Sequence, residues 1–133
     1  MGLVRKENWE TILAEEITKA QTTEFEYVVN DCTSWSAKVL RAYTDLQWQP
    51  DWTNEKEAKA RQLAVPMENQ VFDVLQVERS RNIYQTQRGD LVQKGLGMRA
   101  SLGICVGSRV AFLKKRGLCF IDLGKCTYSW NIL

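Results

Sequence analysis

The hydrophobic pattern of this 133-residue chain changes near residue 83. Before that point, apolar residues recur at the spacing of a helix face. After it, short apolar runs alternate with turns that contain glycine, which is typical of strands joined by hairpins. We therefore predict one α+β domain over residues 1–133, with helices in about 8–82 packed on an antiparallel β-meander in about 83–133.

Two helices are predicted from the spacing of apolar residues. The first follows Asn8, which can cap it, and begins at Trp9. The second begins at Cys32, directly after Asn30 and Asp31, and Asp31 can cap it. Between them, residues 25–29 form a short β-prone stretch. The apolar positions of the two helices are Trp9, Ile12, Leu13 and Ile17, then Cys32, Trp35, Val39, Leu40 and Tyr43.

The region 45–82 is less regular. Thr53 or Asn54 is predicted to start a polar helix that continues through Leu63. Pro66 ends that helix, and a further short helix follows from Met67.

Cys32 is the residue that most directly suggests chemistry. It lies in the first turn of its helix, where exposed backbone N–H groups and the positive end of the helix dipole favour a thiolate. Its sulfur is expected to face inward, or into a cleft at the end of the buried face. The chain contains no histidine, however, so the base that usually deprotonates a cysteine nucleophile is missing.

Composition excludes several classes of function. The net charge of +2 is too small to predict nucleic-acid binding, and no segment has the length of a membrane span or the pattern of a targeting signal. We therefore expect synthesis in a cytoplasm. The four cysteines are expected to be reduced and form no C-x-x-C pair, so no metal or cofactor is predicted. Cys105 and Cys119 are interpreted as small core hydrophobes.

Two segments are candidates for partner contacts. Trp48 and Trp52 lie in an irregular loop and look exposed, so they either pack over a helix end or contact a partner protein. Lys114, Lys115 and Arg116 precede Gly117 and are interpreted as a solvated hairpin tip rather than a phosphate clamp.

Three segments in order resemble the NlpC/P60 cysteine peptidases, a branch of the papain-like fold that cuts peptide stems of bacterial cell walls. They are Asp31-Cys32 at a helix start, Arg88-Gly89-Asp90-Leu91-Val92 at a strand start, and the run from Leu102 to Gly107. The resemblance implies that Cys32 matches the nucleophile and that residues 89–92 match the strand that lines the site. Ser101 occupies the position of the catalytic histidine, and nothing around residues 110–112 could orient a base. Cys32, Ser101 and Asp90 would then be vestigial positions.

A wider pattern resembles a family of small tail proteins of siphophages and gene transfer agents, of unassigned function. It runs from Trp9 through residues 30–32, 88–92 and 102–107 to Trp130, with Ala111-Phe112 and Gly117-Leu118 between. The resemblance implies a virion component at the tail tip, a pseudo-enzyme made in the host cytoplasm. Its partners would be other tail proteins (hub, distal tail and tape measure), with copies that form a ring and with no nucleic acid.

Two alternatives remain open. In the first, the protein is a hydrolase that cuts peptidoglycan during DNA entry, with Cys32 as the nucleophile. Ser101 or Tyr27 would then be the proton donor and Asp31 or Asp90 a carboxylate base, although both aspartates look more like turn and cap residues. In the second, the protein is a tail assembly factor that is absent from the mature particle.

Overall fold

The computed structural model describes residues 5–22, 31–50 and 52–132. It confirms a mixed α+β architecture, with helices in the first part and an antiparallel sheet in the second. The helices are α1 (Trp9–Ala20), α2 (Cys32–Tyr43), α3 (Glu55–Ala64) and α4 (Met67–Leu75). The strands are β1 (Leu91–Lys94), β2 (Ser101–Cys105), β3 (Arg109–Leu113), β4 (Leu118–Asp122) and β5 (Tyr128–Trp130). Three short 3-10 turns cover Ile83–Gln85, Gly97–Arg99 and Leu123–Lys125.

Side-chain caps fix the starts of two helices. Asp31 accepts a hydrogen bond from the Ser34 backbone N–H at 2.8 Å, and Asn54 accepts one from Glu57 N–H at 2.9 Å. The Asp31 cap was predicted and is confirmed, and of the two predicted starting positions of α3, Thr53 and Asn54, it is Asn54 that caps the helix. Asn8 precedes α1 but makes no capping hydrogen bond through its side chain, so that part of the prediction is wrong. The predicted β-prone stretch 25–29, with Tyr27 and Asn30, lies outside the described residues.

The sheet has the strand order β4-β3-β2-β1-β5, with every neighbouring pair antiparallel. Strands β1 to β4 form the predicted meander. The last strand does not extend it, because β5 returns to the opposite edge and pairs with β1, with Leu91 facing Trp130. In this position the Trp130 side chain is fully buried in the main core between the helices and the sheet.

Two turns that contain or precede glycine join the strands, as the pattern of the second half predicted. Gly107-Ser108 forms the two-residue loop between β2 and β3, closed by a hydrogen bond from Val106 N–H to the Arg109 carbonyl at 2.9 Å. The basic segment before Gly117 is the exposed tip between β3 and β4.

The sheet separates two apolar clusters. The larger lies between the sheet and the helices and includes Leu13, Leu40 and Ile104. The smaller lies on the other face, around Val92 and Phe112. Helix α2 packs against β2, which places the start of α2 near the start of that strand. Among the helices of the described residues, none combines the length and apolar character that a membrane crossing needs.

Candidate functional site

Cys32 lies in the wall of a cavity of about 200 Å³ between the start of α2, the start of β2 and helix α3. Its sulfur accepts a backbone hydrogen bond from Leu102 and lies 3.9 Å from the Thr33 hydroxyl. Ser101 lines the same cavity. The remaining lining residues are Asp31, Thr33, Trp52, Ala58, Gln62, Met67, Gln70, Met98, Ala100 and Leu113. The fold thus brings together the cysteine and the serine that were singled out from the sequence.

The thiol of Cys32 is held in its neutral form. Burial raises its pKa above the ordinary value for cysteine, and the neighbouring Asp31 carboxylate raises the pKa further. Hydrogen bonds from Leu102 and Thr33 oppose this increase but do not overcome it. Burial of the sulfur therefore opposes the thiolate that the helix start was expected to favour.

Asp31 is occupied by structural hydrogen bonds. One carboxylate oxygen caps α2 through Ser34 N–H. The other accepts from the Ser34 hydroxyl and from the indole N–H of Trp52, each at 3.0 Å. The side chain is also buried. Both oxygens thus contribute to holding the cavity wall.

Asp90 lies apart from this cavity. It is fully buried at the start of β1 and accepts hydrogen bonds from Gln87 N–H at 2.8 Å, Ile132 N–H at 2.8 Å and the Asn131 amide at 2.7 Å. Arg5 forms an ion pair with it at 3.4 Å. The expectation that residues 89–92 line the site is not met in the described residues, since none of them is in the cavity wall. Asp90 instead stabilises the turn that precedes β1 by accepting a hydrogen bond from Gln87 N–H.

Trp48 and Trp52 are both less exposed than the sequence suggested. Trp48 is buried in the main core with 6% of its surface exposed, so it is not available as a partner contact. Trp52 is half-buried, and its indole N–H is bonded to Asp31. Both therefore follow the packing interpretation. Cys105 is a core residue as predicted, whereas Cys119 is only half-buried beside the smaller cluster.

The basic tip keeps its predicted place. Lys114, Lys115 and Arg116 are all exposed, and their role as a partner contact stays a prediction.

Several cavity residues had not been identified from the sequence, four of them with long polar or thioether side chains. Gln62, Met67, Gln70 and Met98 come from α3, α4 and the turn Gly97–Arg99, which lie far apart in the chain. No local pattern marks them, because they meet only through tertiary packing. Together they give the cavity a mostly neutral lining of amides, hydroxyls, thioethers and one thiol.

The chemistry of this lining is limited. No histidine exists in the chain, and among the lining residues that the structure describes, Asp31 is the one carboxylate. In the part of the chain that the structure describes, no group of three or more metal-binding side chains is present. Among the described residues, the cavity offers room for a neutral group beside a protonated thiol.

The fold and the site define a small α+β domain in which a cysteine at a helix start lies against the first strand of a β-hairpin. The chain belongs to the family described as Domain of unknown function (DUF6950), whose model matches residues 4–132. No match was found among curated proteins.

Proposed function

We propose that this protein is a structural component of a bacteriophage tail tip, near the hub and the tape-measure protein. It would be a catalytically degenerate NlpC/P60-like domain that contacts other tail proteins and is arranged as copies in a ring. One observation carries the non-catalytic part of the proposal: Cys32 and Ser101 line one cavity in a chain without histidine. The place in the tail rests on the order of motifs along the sequence.

The surroundings of Cys32 support a structural role. Serine cannot replace imidazole as a base near neutral pH, and a missing general base reduces the rate by about 10²–10⁴-fold. The raised pKa of the thiol further lowers the fraction of Cys32 that is present as the nucleophilic thiolate. Asp31, the nearest carboxylate along the chain, is used as a helix cap. A thiol in this setting contributes packing rather than chemistry.

Mass spectrometry of purified particles from the phage or element that encodes this chain tests the location. We expect peptides of this protein in mature virions, at a constant ratio to the hub protein. A variant genome that lacks the gene should produce particles with incomplete tail tips. If the peptides are absent from virions while tails fail to form, the protein is an assembly factor and the structural proposal is wrong.

The alternative of a peptidoglycan hydrolase is favoured by the same shared cavity, since it retains the nucleophile position of a peptidase. Purified protein and the Cys32→Ala variant should be incubated with cell-wall fragments, and soluble peptides should be quantified. We expect equal, background-level release from both. Release that depends on Cys32 would replace the structural proposal with the enzymatic one.

A further inference from the structure

Helix α3 differs from the other helices of the described chain in how little of it is buried. Ala58 is its one buried residue, Gln62 is half-buried, and Leu63 is 74% exposed. Helices in proteins usually owe most of their stability to an apolar face packed on the core. Because α3 has almost no such face, its attachment to the domain depends on a few contacts.

The helix nevertheless has strong local stabilisation. Asn54 caps its first turn, and the Glu57 carboxylate reaches back to Thr53, accepting from its backbone N–H at 2.8 Å and from its hydroxyl at 2.9 Å. Lys59 and Glu55 form an ion pair at 2.9 Å with i,i+4 spacing. These interactions lie within the segment, so they persist if α3 moves away from the domain.

The few contacts of α3 with the domain lie at the Cys32 cavity. Ala58 and Gln62 are part of the cavity wall, and the Gln62 amide donates a hydrogen bond to the Ala100 carbonyl at 3.3 Å. Ala100 directly precedes Ser101. This bond is long for an amide–carbonyl pair and both partners are neutral, which makes it a weak attachment.

The end of α3 is held differently. Gln70 of α4 donates to the Val65 carbonyl at 2.9 Å, directly after the last turn of α3. Pro66 follows, at the start of α4, and limits the backbone conformations at that point. The segment therefore has a fixed point at Val65–Pro66, a weak attachment at Gln62 and, just before its start, the hydrogen bond from the Trp52 indole N–H to Asp31 at 3.0 Å.

We propose that α3 is a lid over the Cys32 cavity, which pivots at Val65–Pro66 and opens when two hydrogen bonds break, that of Gln62 with Ala100 and that of Trp52 with Asp31. The lid moves as a preformed helix, because its caps and ion pair are internal. It determines which molecules reach the cavity, whether or not the domain is part of a phage tail.

Hydrogen exchange followed by mass spectrometry tests the motion. The amides of residues 55–64 should exchange at least about 10-fold faster than those of residues 32–43, since local opening is cheapest where few buried contacts are lost. Helix α2 is a suitable reference because it is also capped by a side chain. Equal protection of the amides in the two helices would overturn the proposal that α3 is a lid.

Labelling of Cys32 with a bulky maleimide tests whether the motion opens the cavity. The Gln62→Ala variant should increase the labelling rate of Cys32 about 3- to 10-fold, measured on the Cys32 peptide. Gln85→Ala is the matched control, because Gln85 is exposed and lies outside the cavity wall. It should leave the rate unchanged.

The half-buried Cys119 serves as an internal reference in the same samples. Its labelling rate should not change in either variant. An unchanged Cys32 rate in Gln62→Ala would overturn the proposal. So would equal increases at Cys32 and Cys119, since they would indicate loosening of the whole domain rather than opening of α3.

Discussion

Asp31 and Asp90 are buried carboxylates that accept backbone N–H groups in different parts of the domain. Asp31 holds the start of α2, and Asp90 joins the turn before β1 to the end of the chain. A buried carboxylate is stable only when its oxygens are hydrogen-bonded or paired with a cation. Both side chains meet this condition through structural partners.

Asp90→Asn should destabilise the domain substantially. An amide has a single acceptor oxygen, whereas Asp90 accepts on one oxygen from Ile132 and on the other from Gln87 and Asn131. The substitution places an NH₂ group against a buried N–H donor. It also removes the negative charge that pairs with Arg5. We expect a loss of about 2–4 kcal/mol in the free energy of unfolding, measured by urea denaturation.

Asp122→Asn is the control for Asp90→Asn. Asp122 is an exposed ion-pair partner of Arg109 at 3.5 Å, with 64% of its side chain accessible. Its loss should change the free energy of unfolding by less than about 0.5 kcal/mol. Similar effects of the two substitutions would mean that Asp90 has no special structural role.

The sequence predicts most elements because their signals are local. Helix α3 is located by its cap Asn54, and the β2–β3 hairpin by Gly107-Ser108. The pairing of β5 with β1 was not predictable, because alternation of large residues indicates a strand but not its neighbour. The sequence left open whether Trp48 packs or contacts a partner, since an irregular loop carries no periodic pattern.

The candidate site could be predicted only in part. Cys32 and Ser101 are marked by short motifs and an order of segments. The two glutamines and two methionines of the cavity wall lie on elements that only the tertiary fold brings together. The neutral state of the Cys32 thiol was also missed, because desolvation depends on the neighbours that surround the sulfur in the fold.

Gly103 lies in the middle of β2, and a side chain there would clash. A Cβ atom would lie 2.5 Å from the Ala111 carbonyl oxygen and 2.8 Å from the Phe112 ring. The backbone oxygen belongs to the paired strand β3 and cannot move without disturbing the sheet. Gly103→Ala should therefore cost about 2–3 kcal/mol of unfolding free energy, measured by thermal or urea unfolding.

Gly97→Ala is the matched control for Gly103→Ala. At Gly97 the backbone has φ of +60°, and a Cβ atom would meet nothing within 4 Å. The cost there is conformational only, about 1 kcal/mol. A larger loss from Gly97→Ala than from Gly103→Ala would show that crowding in the sheet is not the dominant effect.

At the scale of the whole molecule, one polar cluster joins the two ends of the described chain to the sheet. Arg5 donates to the Ile132 carbonyl at 2.6 Å, pairs with Asp90 and lies over the Trp9 ring at 4.4 Å. Beside it, the buried Tyr43 hydroxyl donates to the Gly89 carbonyl. This cluster therefore holds together helices α1 and α2, strand β1 and the last described residues. Ionisation of its side chains affects the stability of the entire domain.

Tyr43 makes that stability sensitive to alkaline pH. Burial raises the pKa of the phenol well above its ordinary value of 10.0, and Asp90 raises it further against the opposing effect of Arg5. Below pH 10, the phenol is neutral in both the folded and the unfolded chain, so its contribution is fully present. Above pH 10, the unfolded chain loses the proton first, and the free energy of unfolding falls as the pH rises. The buried thiols add to this fall from about pH 9, since burial also raises the pKa of Cys126 to about 11.

Tyr43→Phe should therefore have opposite effects in two pH ranges. At pH 7 the variant should lose about 1–2 kcal/mol of unfolding free energy, because the Gly89 carbonyl loses its donor. Between pH 10 and 11 its stability should fall less steeply than that of the wild type, because phenylalanine has no proton to lose. The variant therefore lacks the group whose pKa differs between the folded and the unfolded chain. Urea midpoints measured from pH 7 to 11 give both values. Tyr84→Phe, at a 72% exposed position, is the control and should retain the wild-type slope. Parallel alkaline slopes for wild type and Tyr43→Phe would show that the phenol does not couple folding to pH.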